Sequence, residues 1–140
     1  MIGELVRQRV RVRPVGERGS LAYGGYMCLV YDSAQPYEVR LEDTGGHGEL
    51  VFARDLLATA LDGRQAGEGD VQVRLRRFRS VRHCQLVITA DSEEGPQEWA
   101  LGDDAAAEFL QDTLDLVPEG EEWRYLDLDT VVADLLQGAR

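Results

Sequence analysis

Residues 6–13 read Val-Arg-Gln-Arg-Val-Arg-Val-Arg, so Val6, Gln8, Val10 and Val12 alternate strictly with Arg7, Arg9, Arg11 and Arg13. A period of two separates apolar from charged side chains only when the chain is extended. The segment is therefore predicted to be a half-buried strand, with one apolar face and one face of arginine.

The same alternation recurs downstream. Tyr37, Val39 and Leu41 alternate with Glu38, Arg40 and Glu42, and Val71, Val73 and Leu75 alternate with Gln72, Arg74 and Arg76. Residues 20–31 read as a strand bent or bulged at Gly24-Gly25, joined to the first by a polar turn at Glu17-Arg18-Gly19. Residues 49–52 form a short strand, residues 84–89 one apolar enough to be central, and residues 98–101 a last one after the Gly95-Pro96 turn.

Helical spacing appears in three places. Ala53, Leu56, Leu57, Ala60 and Leu61 share one face of a short helix that stops at Gly63. After Gly102, with Asp103 or Asp104 as cap, Ala106, Phe109, Leu110, Thr113, Leu114 and Val117 share a face until Pro118. Leu128, Val131, Val132, Leu135 and Leu136 give a final amphipathic helix, with Asp127 and Asp129 at its start and Gly138 past its end. Strands come first and helices last, which predicts an α+β domain of antiparallel sheets with about seven strands and three helices. At 140 residues, residues 1–140 make one domain.

Charge narrows the function classes. All 15 basic residues are arginine and the net charge is −11. Residues 1–90 carry 13 arginines against 11 acids, whereas residues 91–140 carry 2 against 15. An acidic total opposes non-specific binding to nucleic acid, although a local basic patch escapes that argument. No run approaches the roughly 20 apolar residues of a membrane span, and Met1-Ile2-Gly3-Glu4 does not begin a signal peptide, so a cytoplasmic location is expected. Cys28 and Cys84 lie far apart within apolar runs and are expected to be buried free thiols, with a disulfide as the alternative.

Catalytic chemistry finds no foothold. Only His47 and His83 offer imidazole, no serine sits in a nucleophile elbow, and no Cys or His pair has zinc-ligand spacing. Gly67-Glu68-Gly69 resembles half of a phosphate loop but precedes a strand, where a phosphate needs a helix N-terminus. Carboxylate pairs such as Asp103-Asp104 and Glu121-Glu122 read as helix starts and loops. No catalytic residue, metal or cofactor is therefore expected. Arg7, Arg9, Arg11, Arg13, Arg74 and Arg76 are the candidate partner-binding residues, because guanidinium forks suit carboxylates or phosphates. The alternative is a solvated face on which these arginines meet Glu38 and Glu42. Arg54 and Asp55, which follow the fourth strand, are weaker candidates, since helix-start and ion-pair roles explain them as well.

Residues 29–39 (Leu-Val-Tyr-Asp-Ser-Ala-Gln-Pro-Tyr-Glu-Val) and 51–57 (Val-Phe-Ala-Arg-Asp-Leu-Leu) resemble the SsgA-like family of actinobacterial sporulation-specific cell-division regulators. The likeness continues through residues 67–73, Phe109-Leu110, Thr113, Val117-Pro118 and residues 126–129, in family order. The resemblance implies a non-catalytic protein that helps place or activate the division ring at the septum, with FtsZ or another SsgA-like protein as direct or indirect partner. It also implies a fold similar to the Whirly single-stranded-nucleic-acid binders and a trimeric assembly. That fold likeness makes a single-stranded nucleic-acid binder the alternative, with Tyr23, Tyr26 and Tyr31 available for stacking on bases.

Overall fold

The computed structural model describes residues 3–16, 24–44, 48–78, 84–91, 95–126 and 135–136. Its strands are β1 (Leu5–Pro14), β2 (Gly25–Asp32), β3 (Glu38–Asp43), β4 (Glu49–Ala53), β5 (Ala66–Glu68), β6 (Val71–Arg76), β7 (Gln85–Ala90) and β8 (Gln97–Gly102). Helix α1 (Arg54–Leu61) follows β4, helix α2 (Asp103–Leu116) follows β8, and a 3-10 turn occupies Glu122–Tyr125. The eight strands form one antiparallel sheet in the order β4-β3-β2-β1-β8-β7-β6-β5, in place of the several sheets expected.

The connection through α1 forces this sheet to curl. Strands β4 and β5 lie at opposite edges, which in a flat sheet of eight strands would be about 34 Å apart at roughly 4.8 Å per gap. Only α1 and residues 62–65 join them. An eight-residue helix spans about 12 Å, and four extended residues add at most about 14 Å. The edges must therefore approach each other. The concave side that results takes both helices, α2 against β1, β8 and β7, and α1 against β4, β5, β6 and α2.

The core lies between that concave side and the helices. Val10 and Val12 of β1, Leu29 and Tyr31 of β2, and Leu86 and Ile88 of β7 are buried there with Leu57, Ala60, Ala106 and Phe109 of the helices. These are the apolar positions of each alternation, as the period of two requires. Gly24, just before β2, is held close to β1, where a Cβ would run into the Val12 carbonyl oxygen.

Several expectations are corrected. Strand β5 is an eighth strand where a loop was expected. It has three residues, too few to show an alternation, and pairs with β6 across a turn in which Gly69 has φ +58°. The N-cap of α2 is Gly102, with no side-chain cap; Asp103 and Asp104 sit in the first turn, where their charge still favours the dipole. Among the described residues there are two α-helices. The expected third, from residue 127 onward, lies outside the described residues except for Leu135 and Leu136, which are helical and exposed. The Glu17-Arg18-Gly19 turn, residues 20–23, His47 and His83 also lie outside them.

Candidate partner-binding surface

The arginines of β1 take their direction from the burial of Val10 and Val12. With those two side chains in the core, Arg7, Arg9 and Arg11 project from the convex face and are exposed, and Arg13 is half-buried. Register extends this row across the sheet. Arg13 lies opposite Ala100, Ala100 opposite Val87, and Val87 opposite Arg74, which puts Arg74 and Arg76 on the same face as Arg13. Arg9 lies opposite Cys28, followed by Glu42 and Glu49 in the same row.

The six candidates nevertheless do different things. Arg9 stacks over the half-exposed ring of Tyr26, with its guanidinium carbon 4.0 Å from the centroid. Arg74 donates to Glu98 Oε2 at 3.0 Å, and the same oxygen accepts from Thr89 Oγ1 at 3.0 Å. Arg76 stands 5.0 Å from the Phe78 ring. Glu42, expected to face the β1 arginines, has a carboxylate 4.0 Å from Arg40, which is also 4.0 Å from Glu49. On β1, Arg7, Arg9 and Arg11 are exposed, while Arg74 pairs with Glu98 within the sheet.

Part of the convex face is covered, which the alternation did not reveal. Phe78, beyond the end of β6, packs with Val15 on Val87 and Ala100, and forms a small second core there. The signal in the sequence was β7 itself, where Leu86, Val87 and Ile88 are consecutive apolar residues. A strand apolar on both faces is covered on both.

Arg54 belongs to the interior. It is 3% exposed and takes the ion-pair role that the sequence left open beside partner binding. Its Nη1 donates to the carbonyls of Thr113 at 3.2 Å and Val117 at 2.7 Å, and its Nη2 to Glu122 Oε1 at 2.8 Å. The guanidinium carbon lies 5.1 Å from the centroid of the Tyr31 ring. The last turn of α2 has no basic residue of its own, so Arg54 supplies the cation and donors that its carbonyl end requires. An arginine in the first turn of its own helix, against the dipole, was the available sign that its charge is needed elsewhere.

Two neighbours register the burial. Burial works against the Glu122 carboxylate, but backbone hydrogen bonds and Arg54 outweigh it and hold its pKa below the ordinary value. Burial pushes the Tyr31 hydroxyl up to about 12, with Arg54 opposing, and that hydroxyl donates to the Pro36 carbonyl at 2.9 Å. Asp55 is exposed in the first turn of α1.

The other chemistry-bearing residues fall as follows. Cys28 and Cys84 are free and half-buried, less enclosed than expected; Cys28 sits on the convex face beside Arg9. Gly67 and Glu68 belong to β5, and the turn after them leads into strand β6 and not into a helix. Among the described residues no group of three His, Cys, Asp or Glu side chains could hold a metal, and no helix is long and apolar enough to cross a membrane.

Comparison with known proteins gives a consistent result. Residues 26–122 match the family described as "Streptomyces sporulation and cell division protein, SsgA". The chain is 34% identical over 110 residues to the sporulation-specific cell division protein SsgB of Kineococcus radiotolerans, covering 77% of this chain and 66% of the relative. It is 41% identical over 113 residues to SsgB of Streptomyces coelicolor, covering 77% and 79%. The crystal structure of an SsgA-like sporulation-specific cell division protein from Thermobifida fusca superposes with a TM-score of 0.79 at 26% identity, over 96% of this chain and 97% of that one.

Proposed function

The chain belongs to the SsgA family of sporulation and cell-division proteins, and from that premise we propose that it is a non-catalytic adaptor that helps place or activate the FtsZ division ring during sporulation. Its partner is FtsZ itself or another SsgA-like protein, engaged at the septum. The observation that carries the choice of surface is the exposed run Arg7, Arg9 and Arg11 on β1, a rigid element that holds three guanidinium groups in a line. Guanidinium forks on a fixed strand suit a partner that presents carboxylates, in direct contact or by electrostatic steering. The active form is an oligomer, with three copies as the size the family likeness suggests.

The test in cells is deletion of the gene in its native host, followed by complementation with the natural protein or with the double variant Arg9→Glu/Arg11→Glu. The adaptor reading predicts misplaced or missing sporulation septa on deletion, rescue by the natural protein, and failure of the double variant to reach division rings at equal abundance. Unaltered septation on deletion would overturn it.

A further inference from the structure

Strand β1 has a strand on each side for only part of its length. Leu5 to Val12 pair with β2, but only Val12, Arg13 and Pro14 pair with β8. Strand β8 ends at Gly102, where the chain turns into α2 on the concave side. The first half of β1 therefore borders a notch within the sheet, and no strand of the described residues lies on its second side there. From Leu5 to Arg11 the notch runs for roughly 20 Å at about 3.4 Å per residue.

Hydrogen-bond direction decides which residues face it. On the β8 side the Val15 amide donates to the Glu98 carbonyl at 3.0 Å; on the β2 side the Glu4 carbonyl accepts from the Ser33 amide at 2.9 Å. In an antiparallel strand the N–H and C=O of one residue point to the same neighbour, and successive residues alternate. The odd-numbered residues of β1 thus turn their main chain towards β8. Beyond the reach of β8, Leu5, Arg7 and Arg9 present N–H and C=O to the notch, and among the described residues nothing pairs with them there.

The side chains of these residues narrow what fits. Leu5, Arg7 and Arg9 are exposed on the convex face, directly beside the open edge. Arg7 and Arg9 have no carboxylate partner among the described residues, and Arg9 is steadied over the Tyr26 ring. An unpaired edge is a template for a further strand, and charge on it decides which strands are admitted. Residues directly opposite in an antiparallel pair share a face with Cβ atoms about 5 Å apart, so acids opposite Arg7 and Arg9 are favoured and a second copy of the same arginine edge is repelled.

We infer that the notch takes an extended acidic segment of the partner as an added strand. Its main chain pairs with Leu5, Arg7 and Arg9, and carboxylates at every second residue lie opposite Arg7 and Arg9. The residues between them meet the half-buried Val6 and Gln8 on the concave side. The inference rests on the reading that these arginines meet a partner's carboxylates, and it adds the main-chain pairing and the sequence period by which they do so.

Amide hydrogen exchange followed by NMR reads the edge directly. In the protein alone, the Arg7 and Arg9 amides are expected to exchange at least about tenfold faster than those of Gln8 and Val10, which face β2. The probe is a capped peptide of about seven residues that alternates glutamate and valine, compared with its lysine counterpart and with a peptide of the same composition whose acids form one block. The alternating acidic peptide is expected to slow exchange at Arg7 and Arg9 about tenfold or more, and to bind at least about tenfold tighter than the other two. Methylating every second peptide nitrogen should remove that protection in one phase and spare it in the other. Arg7→Glu/Arg9→Glu should lose the acidic peptide with an unchanged circular dichroism spectrum. Slow exchange at Arg7 and Arg9 in the protein alone, no binding of the acidic peptide, or equal binding of all three peptides would each overturn the inference. Binding that needs both arginines but leaves their amides unprotected would overturn the added strand and keep the arginine reading, whereas binding indifferent to the arginine reversals would overturn both.

Discussion

Replacing Arg54 with methionine should destabilise the fold more than any exposed arginine substitution. The side chain keeps an unbranched apolar stem but loses the guanidinium with its charge and donors, so the Glu122 carboxylate stays buried without its cation and the Val117 carbonyl without a donor. The Thr113 carbonyl suffers less, because it also accepts from the Val117 amide at 2.8 Å. Removing one member of a buried ion pair costs about 3–5 kcal/mol, and an orphaned buried acceptor about 1–3 kcal/mol, with overlap between the two. A total near 4 kcal/mol is expected, a large part of the roughly 5–15 kcal/mol that holds a domain together. At about 3–4 °C per kcal/mol for a chain of this size, the melting temperature should fall by about 12–16 °C. Urea unfolding followed by circular dichroism reads the difference directly. The double variant Arg54→Met/Glu122→Met removes both charges and should recover about 1–2 kcal/mol of the loss, because the stranded carboxylate is gone. A loss below about 1 kcal/mol for Arg54→Met, or a double variant no better than the single, would refute the view that Arg54 caps α2 and neutralises Glu122.

Further consequences follow from the same region and from the covered convex face. Because the folded-state pKa of Glu122 is depressed, its contribution is present above the ordinary value of 4.5 and is lost as pH falls through the folded value; Glu122→Gln should flatten the acid limb of a stability–pH curve. The pKa of Tyr31 is raised, so its contribution is complete below 10.0 and is lost as pH rises towards about 12; an absorbance titration should show one tyrosine ionising late, absent in Tyr31→Phe. Phe78→Ala should cost about 3–4 kcal/mol in urea unfolding although Phe78 lies outside the regular strands, and a change under about 1 kcal/mol would mean that the convex cluster contributes little.

What the sequence made legible was the set of elements with a strong period. The alternations at β1, β3 and β6 and the helical spacing of α1 and α2 each follow from burying one face, and those boundaries fall within a few residues of the structure. Strand β5 was invisible because three residues carry no alternation, and because its pairing with β6 is set by the Gly69 turn. That one sheet replaces several follows from the short α1 connection between its two edges, a long-range constraint that no local pattern encodes.

The candidate site was legible in part for the same reason. Arg7, Arg9 and Arg11 are exposed because their strand neighbours are buried, which alternation gives directly. For Arg54 the sequence left an ion-pair role open but could not name the partner, because Glu122 is 68 residues away. Arg74 carries the same pattern as Arg9 and yet is matched by Glu98, a pairing decided by the order β6-β7-β8.

The central claim is most directly tested by titrating labelled FtsZ with the purified protein at low and physiological salt, with a single-stranded oligonucleotide as a parallel target. The adaptor account predicts saturable FtsZ binding that weakens with salt and is lost in Arg9→Glu/Arg11→Glu, with no binding of the oligonucleotide even at low salt, where electrostatic attraction is strongest. Oligonucleotide binding without FtsZ binding, or FtsZ binding indifferent to both arginine reversals, would contradict it.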